Sequence, residues 1–229
     1  MYYKYETHLH TAEGSACCMA GAAEQRDFYA NMGYTGVIVT DHFFNGNTTV
    51  TEEGLSWEEM VERFCLGYYN ALEAGKERGI DVLFGWEYTY EGADLLTYGF
   101  TPEWLLEHPI VMELSPWDYC NYIREKGGLI IHAHPFRFGG HIGEIKLNPR
   151  SVDGVEVFNA CSLDFENKMA EIYAKRYRLR RLSGSDNHLS YAMGRLGGIK
   201  SKFKIENSQD FVSLIKRGNY KTINERITK

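Results

Sequence analysis

Histidines and carboxylates recur in this chain at short, repeated spacings. His8 and His10 flank a single leucine, His132 and His134 a single alanine, and Asp186 and His188 a single asparagine. Residues i and i+2 of an extended segment project to the same side, so each pair can aim two donor groups at one centre. Asp41-His42 follows Thr40, and Glu87 follows Gly85-Trp86, each at the end of an apolar run. Imidazole and carboxylate without a cysteine quartet suit Zn, Mn or Fe rather than Ca or a closed structural zinc site, with Mg ranked below them. The donors are too many for one tetrahedral ion. Two or three divalent ions would need bridging carboxylates, and Glu87 and Asp186 can serve. An HxH alone is a weak sign. The coincidence of these groups at successive apolar runs carries the metal-cluster reading.

The elements that must position them are short apolar runs alternating with amphipathic stretches. Strands are expected at Tyr3–His8, Thr35–Thr40, Ile80–Trp86, Leu95–Phe100, Leu129–Ala133, Gly154–Phe158 and Arg181–Gly184. Helices are expected at Ala20–Met32, at Ser56–Arg78, from Pro116 to about Lys126, and from about Leu163 to Arg178. Ser56 with Glu59 three residues on is a capping-box pattern, and Gly33 and Gly79 close the first two helices. The tail adds a strand at Ile199–Ile205, a helix near Gln209–Arg217 and a last short strand. Strands separated by helices imply parallel pairing with right-handed crossovers. About seven such steps without a linker or repeat point to a single-domain α/β fold over residues 1–229, a closed or nearly closed barrel. The donor residues then lie at C-terminal strand ends, the rim where barrel enzymes place catalytic groups. No GxGxxG or GxxxxGK[ST] follows a strand, which weakens nucleotide-cofactor folds.

The chain has 229 residues, 44% of them hydrophobic, and a formal net charge of -6. That is enough apolar residue for a sizeable core. The one basic run, Lys175 to Arg181, reads as the polar side of a helix entering a strand, which argues against a nucleic-acid partner. No secretory leader and no run long enough to span a membrane are seen. Five cysteines without a CxxC pair suggest reduced thiols and a cytoplasmic location. Cys17 and Cys18 lie close to the HxH motif. Either could be a soft ligand, but small packing residues is the reading taken.

The ordered set His8-x-His10, Thr40-Asp41-His42, Glu87, His134-Pro135 and Asp186-x-His188 resembles the PHP family, named for polymerase and histidinol phosphatase domains. The resemblance runs from His8 through about Arg195. It implies a distorted (β/α)7 TIM-like barrel, a centre of two or three metal ions, and phosphoesterase activity. It also implies a ligand grouping: His8, His10, Glu87 and Asp186 on a first ion, Glu87 and His134 on a second, His42 and His188 on a third, with Asp41 orienting a ligand histidine. Two positions depart from the family pattern. The acidic or histidine ligand usual five or six residues after the second His of HxH is replaced by Ser15 and Ala16, with Glu13 the nearest substitute. The His that often opens the strand after the bridging Glu is replaced by Asp94, a ligand candidate in its own right.

The chemistry implied is in-line attack of a metal-bound hydroxide on a phosphate ester. Arg137 is the first choice for a phosphate clamp, since its planar fork suits phosphate oxygens, and Arg195 is the second. His141 is a weaker candidate, and Asp186 counts both as a ligand and as a catalytic group. His132 is read either as a group behind the ligands or as a core histidine. Loops Phe43–Ser56, Thr101–Ser115 and Phe136–Arg150 would shape a pocket for a small phosphorylated substrate, of the histidinol phosphate or nucleotide kind. Two other readings stay open: an amidohydrolase-type metal hydrolase, which would want a lysine at a mid-barrel strand end, and a non-catalytic metal-binding accessory module.

Overall fold

The computed structural model describes residues 1–51, 54–139, 143–189, 191 and 194–227; His141 lies outside them. The first half of the chain runs β1 (Tyr3–Leu9), α1 (Ala22–Asn31), β2 (Gly36–Val39), α2 (Trp57–Phe64), α3 (Leu66–Arg78), β3 (Asp81–Tyr90) and β4 (Ala93–Tyr98). Then follow α4 (Pro102–Leu106), a 3-10 turn at Pro109–Met112, α5 (Pro116–Glu125), β5 (Leu129–His132), β6 (Gly154–Asn159), α6 (Asp164–Tyr177) and β7 (Arg180–Gly184). The tail is β8 (Arg195–Leu196), β9 (Ile199–Ser201), α7 (Ser208–Arg217), β10 (Tyr220–Thr222) and β11 (Glu225–Arg226). No helix among the described residues is long and apolar enough to cross a membrane.

The expected helix from Ser56 to Arg78 is two helices. It starts as the sequence requires: Ser56 Oγ accepts from the Glu59 amide, and the Glu59 carboxylate accepts from the Ser56 amide at 2.8 Å. Cys65 then ends α2, and α3 departs on a new course against Thr11 and Asp41. Only the missing side chain of Gly67 permits that approach, since a Cβ there would lie 2.1 Å from Thr11 Oγ1. Gly79, left-handed at φ 66°, closes α3.

One nine-stranded sheet runs in the order β10-β9-β1-β2-β3-β4-β5-β6-β7 and curls into a nearly closed barrel. The expected α/β barrel is present, but its strands are not all parallel. β1–β2–β3 and β5–β6–β7 pair in parallel, whereas β4 is antiparallel to both β3 and β5. The cause is local. Glu91 and Gly92 take left-handed φ values of 46° and 85°, so β3 turns straight back as a hairpin without a crossover helix. Reversal of β4 brings its beginning, not its end, to the rim where the other strands finish.

The gap between β1 and β7 closes through side chains and strand ends. Thr7 Oγ1 donates to Ser183 O at 2.7 Å, and the Asp186 amide donates to His8 O at 2.9 Å. Glu6, fully buried, accepts from the amides of Thr7, His8 and Ser185, tying the two edges to one carboxylate. At the opposite end α7 seals the barrel floor with Phe211, Val212, Leu214 and Ile215 against Tyr98, Leu129 and Ile131. Full burial of each such side chain contributes about 1.5–3 kcal/mol. With the floor plugged, the open rim is where a ligand can enter.

Candidate metal centre

Four groups meet at the rim. His8 and His10 leave the end of β1, Glu87 stands on β3, and Asp186 follows β7 with φ at 55°. His8 Nε2 lies 3.2 Å from His10 Nε2, 3.3 Å from Glu87 Oε1 and 3.5 Å from Asp186 Oδ1. His10 Nε2 lies 3.4 Å from Glu87 Oε2 and 3.2 Å from Asp186 Oδ1. A tetrahedral ion with bonds of about 2.0–2.2 Å separates its ligands by about 3.3–3.6 Å. The observed edges of this cage are close to that length, with Glu87 turning a different oxygen to each histidine, and all four residues are buried. Gly184 makes room behind it: a Cβ there would lie 2.4 Å from both His8 Cβ and Glu156 Oε1.

Surrounding hydrogen bonds fix which nitrogen faces the cage. Ser15 Oγ gives its one proton to Asp41 Oδ1 at 2.7 Å, so it must accept from His10 Nδ1 at 2.9 Å. His10 Nε2 is then the lone pair. His8 Nδ1 lies 3.1 Å from Glu156 Oε1, whose partner oxygen accepts from the His134 amide and Asn159 Nδ2. That carboxylate takes the Nδ1 proton and turns His8 Nε2 inward, the arrangement that orients histidine ligands at metal sites. Asp41 is itself held by the Thr11 amide and hydroxyl, both at 2.6 Å, and reaches the cage only through Ser15 and His10.

Further donors adjoin the cage across Glu87. Its Oε1 lies 3.3 Å from His134 Nε2, which is 3.9 Å from Asp94 Oδ2. Its Oε2 lies 2.9 Å from His42 Nδ1. The rings of His42 and His188 stand 4.5 Å and 4.3 Å from that of His10. Asp94 owes its place to the reversed β4, and Thr89 Oγ1 holds it at 2.6 Å across the hairpin. Despite these short distances, neither oxygen of the buried Glu87 receives an aligned hydrogen bond, and His42 Nδ1 makes none. Lone pairs turned toward a common gap are what a cation site requires, and the donor set fits divalent metal ions.

Charge distribution says the same. Burial would raise Glu87, but the charges of His8 and His42 hold it well below the ordinary carboxylate range. Burial likewise opposes ionisation of Asp186, and Arg137 followed by His8 keeps it ionised. His8 is driven well above its ordinary value by Asp186, Glu156 and Glu87 in spite of burial. His42 rises to about 11 by the charge of Glu87, again against burial. His10 falls to about 3 through burial and the neighbouring His42 and His188. Protons on His8 and His42 thus balance carboxylates that bound cations would otherwise balance.

A cavity of about 480 Å³ opens over these groups, with Arg137 and Asp94 at its wall. Arg137 Nη2 bonds Asn159 Oδ1 at 2.9 Å and Asp186 Oδ2 at 2.5 Å, so its guanidinium is tied to the ligand set. Two sequence candidates stand elsewhere. Glu13 turns away from the cavity: its carboxylate accepts from the Ala22 amide at 2.9 Å and from Asn70 Nδ2 at 3.1 Å, capping α1. Arg195 pairs with Asp164, donates to Ser162 O and covers the Phe158 ring, outside the cavity lining. His132 packs edge-on to Tyr173 of α6. The i, i+2 expectation fails there because His134 takes φ 25° and leaves the extended path. Sequence reading noted Glu156 on its strand and Ser15 only as a missing ligand, gave neither a role, and did not single out Asn159. An acidic residue inside the wholly buried strand Gly154–Asn159 is the one signal that marked Glu156.

The family model described as PHP-associated matches residues 164–220. No curated protein matches the chain. Among solved structures, a two-domain protein of Bacteroides vulgatus containing a predicted PHP-like metal-dependent phosphoesterase is similar with a TM-score of 0.71 and 13% identity. The match covers 97% of this chain and 65% of that one, so this chain spans about two thirds of its length. A Bifidobacterium adolescentis protein, provisionally named a metal-dependent phosphoesterase, gives a TM-score of 0.58 at 14% identity, covering 93% and 96%. An amidohydrolase of Chromobacterium violaceum gives 0.53 at 16%, covering 80% and 87%. At these identities the likeness is one of fold.

Proposed function

On the premise that the chain is a PHP-domain protein, which the PHP-associated match and the shared fold support, we propose that it is a metal-dependent hydrolase of a small-molecule phosphate ester. Glu87 carries the reading. It is a buried carboxylate with one oxygen turned to His8 and His134 and the other to His10 and His42, without an aligned donor on either. A buried charge left uncompensated costs several kcal/mol, and cations on both sides offset that cost. His8, His10, Glu87 and Asp186 would hold one ion, Glu87, Asp94 and His134 a second, and His42 with His188 a third. Such ions, when bound, bring the pKa of water toward neutrality and neutralise charge on phosphoryl oxygens.

The chain's own groups supply recognition. Arg137 presents a planar guanidinium at the cavity wall, already braced by Asn159 and Asp186, and its remaining N–H groups suit a phosphoryl oxygen. A volume of about 480 Å³ accommodates a metabolite-sized ester, of the histidinol phosphate or nucleotide kind. The amidohydrolase reading draws on the Chromobacterium fold likeness. Against it, no lysine lines the cavity among the described residues.

The test uses metal-stripped protein restored with Zn, Mn, Fe or Mg and offered phosphomonoesters, phosphodiesters, amides and lactones. Metal-restored release of phosphate or of a phosphomonoester is expected. Full metal loading with turnover of amides or lactones only would replace the phosphoesterase reading with the amidohydrolase one.

A further inference from the structure

A second cavity, of about 660 Å³, opens at the other end of the barrel, where β7 begins and α7 ends. The five residues of β7, roughly 16 Å of strand, stand between it and Asp186. Its walls come from the two edges of the sheet. Arg178, Arg180 and Arg181 line one side, from the end of α6 into β7; Lys216, Arg217 and Lys221 line the other, from the end of α7 into β10. Tyr220 Oη donates to Arg181 O at 2.9 Å and ties the edges together. Six cations thus meet in one hollow of a chain whose net charge is -6, and no carboxylate lines it among the described residues.

Their partners leave most of that charge standing. Arg181 pairs with Glu171 at 3.0 Å. Arg180 reaches only backbone oxygens, Asp153 O and Lys216 O, both at 3.4 Å, while the Asp153 carboxylate is turned to the Ile130 amide. Lys216 Nζ likewise meets Gly127 O at 3.4 Å and Gly128 O at 3.3 Å. Arg178, Arg217 and Lys221 have no carboxylate within ion-pair distance among the described residues. The ends of α6 and α7 each bring about half a negative charge, which offsets only about one of the five cations left after the Arg181 pair. Arg178 is also held against a backbone preference. It caps α6 at a left-handed φ of 54°, the position where α3 and α7 carry Gly79 and Gly218. Like charges gathered this closely repel unless an anion joins them.

We propose that this hollow binds a compact oligophosphate, several phosphoryl groups in line, either free or as the tail of a nucleotide. Guanidinium forks suit phosphoryl oxygens, and the lysines add point charges. Tyr220 is the one ring among the lining residues and is committed to Arg181, so the wall reads the phosphate chain and not a base. A nucleic-acid strand would find no stacking platform there. The site does not rest on the metal-centre reading.

The experiment is isothermal titration calorimetry of the metal-free chain with sodium triphosphate, ATP and adenosine, in about 50 mM NaCl, where screening is modest. Triphosphate and ATP are expected to bind and adenosine to give no heat. Equal affinities identify the free oligophosphate as sufficient, and a tighter ATP identifies the nucleotide tail as the source. The double variant Arg217→Gln/Lys221→Gln is expected to weaken triphosphate at least about tenfold through two lost charge-assisted contacts. Arg217→Lys, which keeps the charge, should bind within about threefold of wild type, and Arg137→Gln, at the distant rim, should bind as wild type does. No triphosphate binding, or binding that survives the double variant and is lost in Arg137→Gln, would overturn the proposal. So would a short single-stranded oligonucleotide that binds at least about tenfold more tightly than triphosphate and loses that margin in the double variant.

Discussion

Replacement of Glu87 by Gln tests the centre most directly, because it preserves shape and removes only the shared charge. Glu87 faces His8 and His134 at 3.3 Å through one oxygen, and His10 at 3.4 Å and His42 at 2.9 Å through the other. In the proposed arrangement it serves two ion positions at once. Loss of a group that merely orients a ligand weakens metal binding about 10–100-fold. A direct ligand should reach the upper end for each ion. A hundredfold change is about 2.7 kcal/mol of linked stability per ion, so two ions give roughly 5 kcal/mol. In a chain of this size each kcal/mol shifts Tm by about 2–4 °C. The expected result is a metal-dependent rise in Tm that shrinks by roughly 10–20 °C in Glu87→Gln, with turnover lost. Melting curves by circular dichroism, with and without saturating Zn, measure it. A variant whose metal-induced shift and bound-metal stoichiometry match wild type would refute the bridging role.

Glu156→Gln should weaken the first ion by about 10–100-fold without removing any ligand, because the carboxylate that sets the His8 tautomer is gone; competitive chelator titration would show it. Glu13→Ala should leave metal stoichiometry unchanged and lower stability by about 1 kcal/mol through the lost α1 cap, read as a small drop in denaturation midpoint. An accompanying loss of bound metal would return Glu13 to the ligand set. pH sets a further expectation with a definite sign. His42 is raised from 6.5 to about 11, so in the metal-free fold its contribution to stability is full below its unfolded pKa and is lost as pH rises through about 11. Metal binding must displace this proton and that of His8, so the metal-induced gain in Tm should grow from pH 6 to pH 8, with proton release on Zn addition detectable in weakly buffered solution. A gain that falls over that range would contradict the protonated metal-free state.

Much of the donor set was written in the local pattern. His8, His10, His42, His134, Asp186 and His188 stand at or just beyond the end of an apolar strand and Glu87 within one, and the side-chain period of an extended chain aims i and i+2 together. Apolar runs and capping signals likewise located β1, β2, β5, β6 and β7 and the start of α2, since these depend on residues a few positions apart. What needed tertiary structure were contacts between distant segments and departures from regular backbone. The left-handed Glu91-Gly92 turn reversed β4 and so delivered Asp94 to the rim. The φ of His134 took its imidazole off the line of β5 and into the centre, while His132, still on the strand, packs against Tyr173 of α6. Glu156 reaches His8 across 148 residues, and Ser15 joins His10 to Asp41 only once the loop after β1 has folded over β2. Nor could spacing show that the Glu13 carboxylate is taken by the N-terminus of α1, where it accepts from the Ala22 amide. By itself the sequence determined which chemical groups are available and in what order they arrive. The fold alone decided which of them share a space small enough to hold an ion, because that is a matter of a few ångströms between residues far apart in the chain.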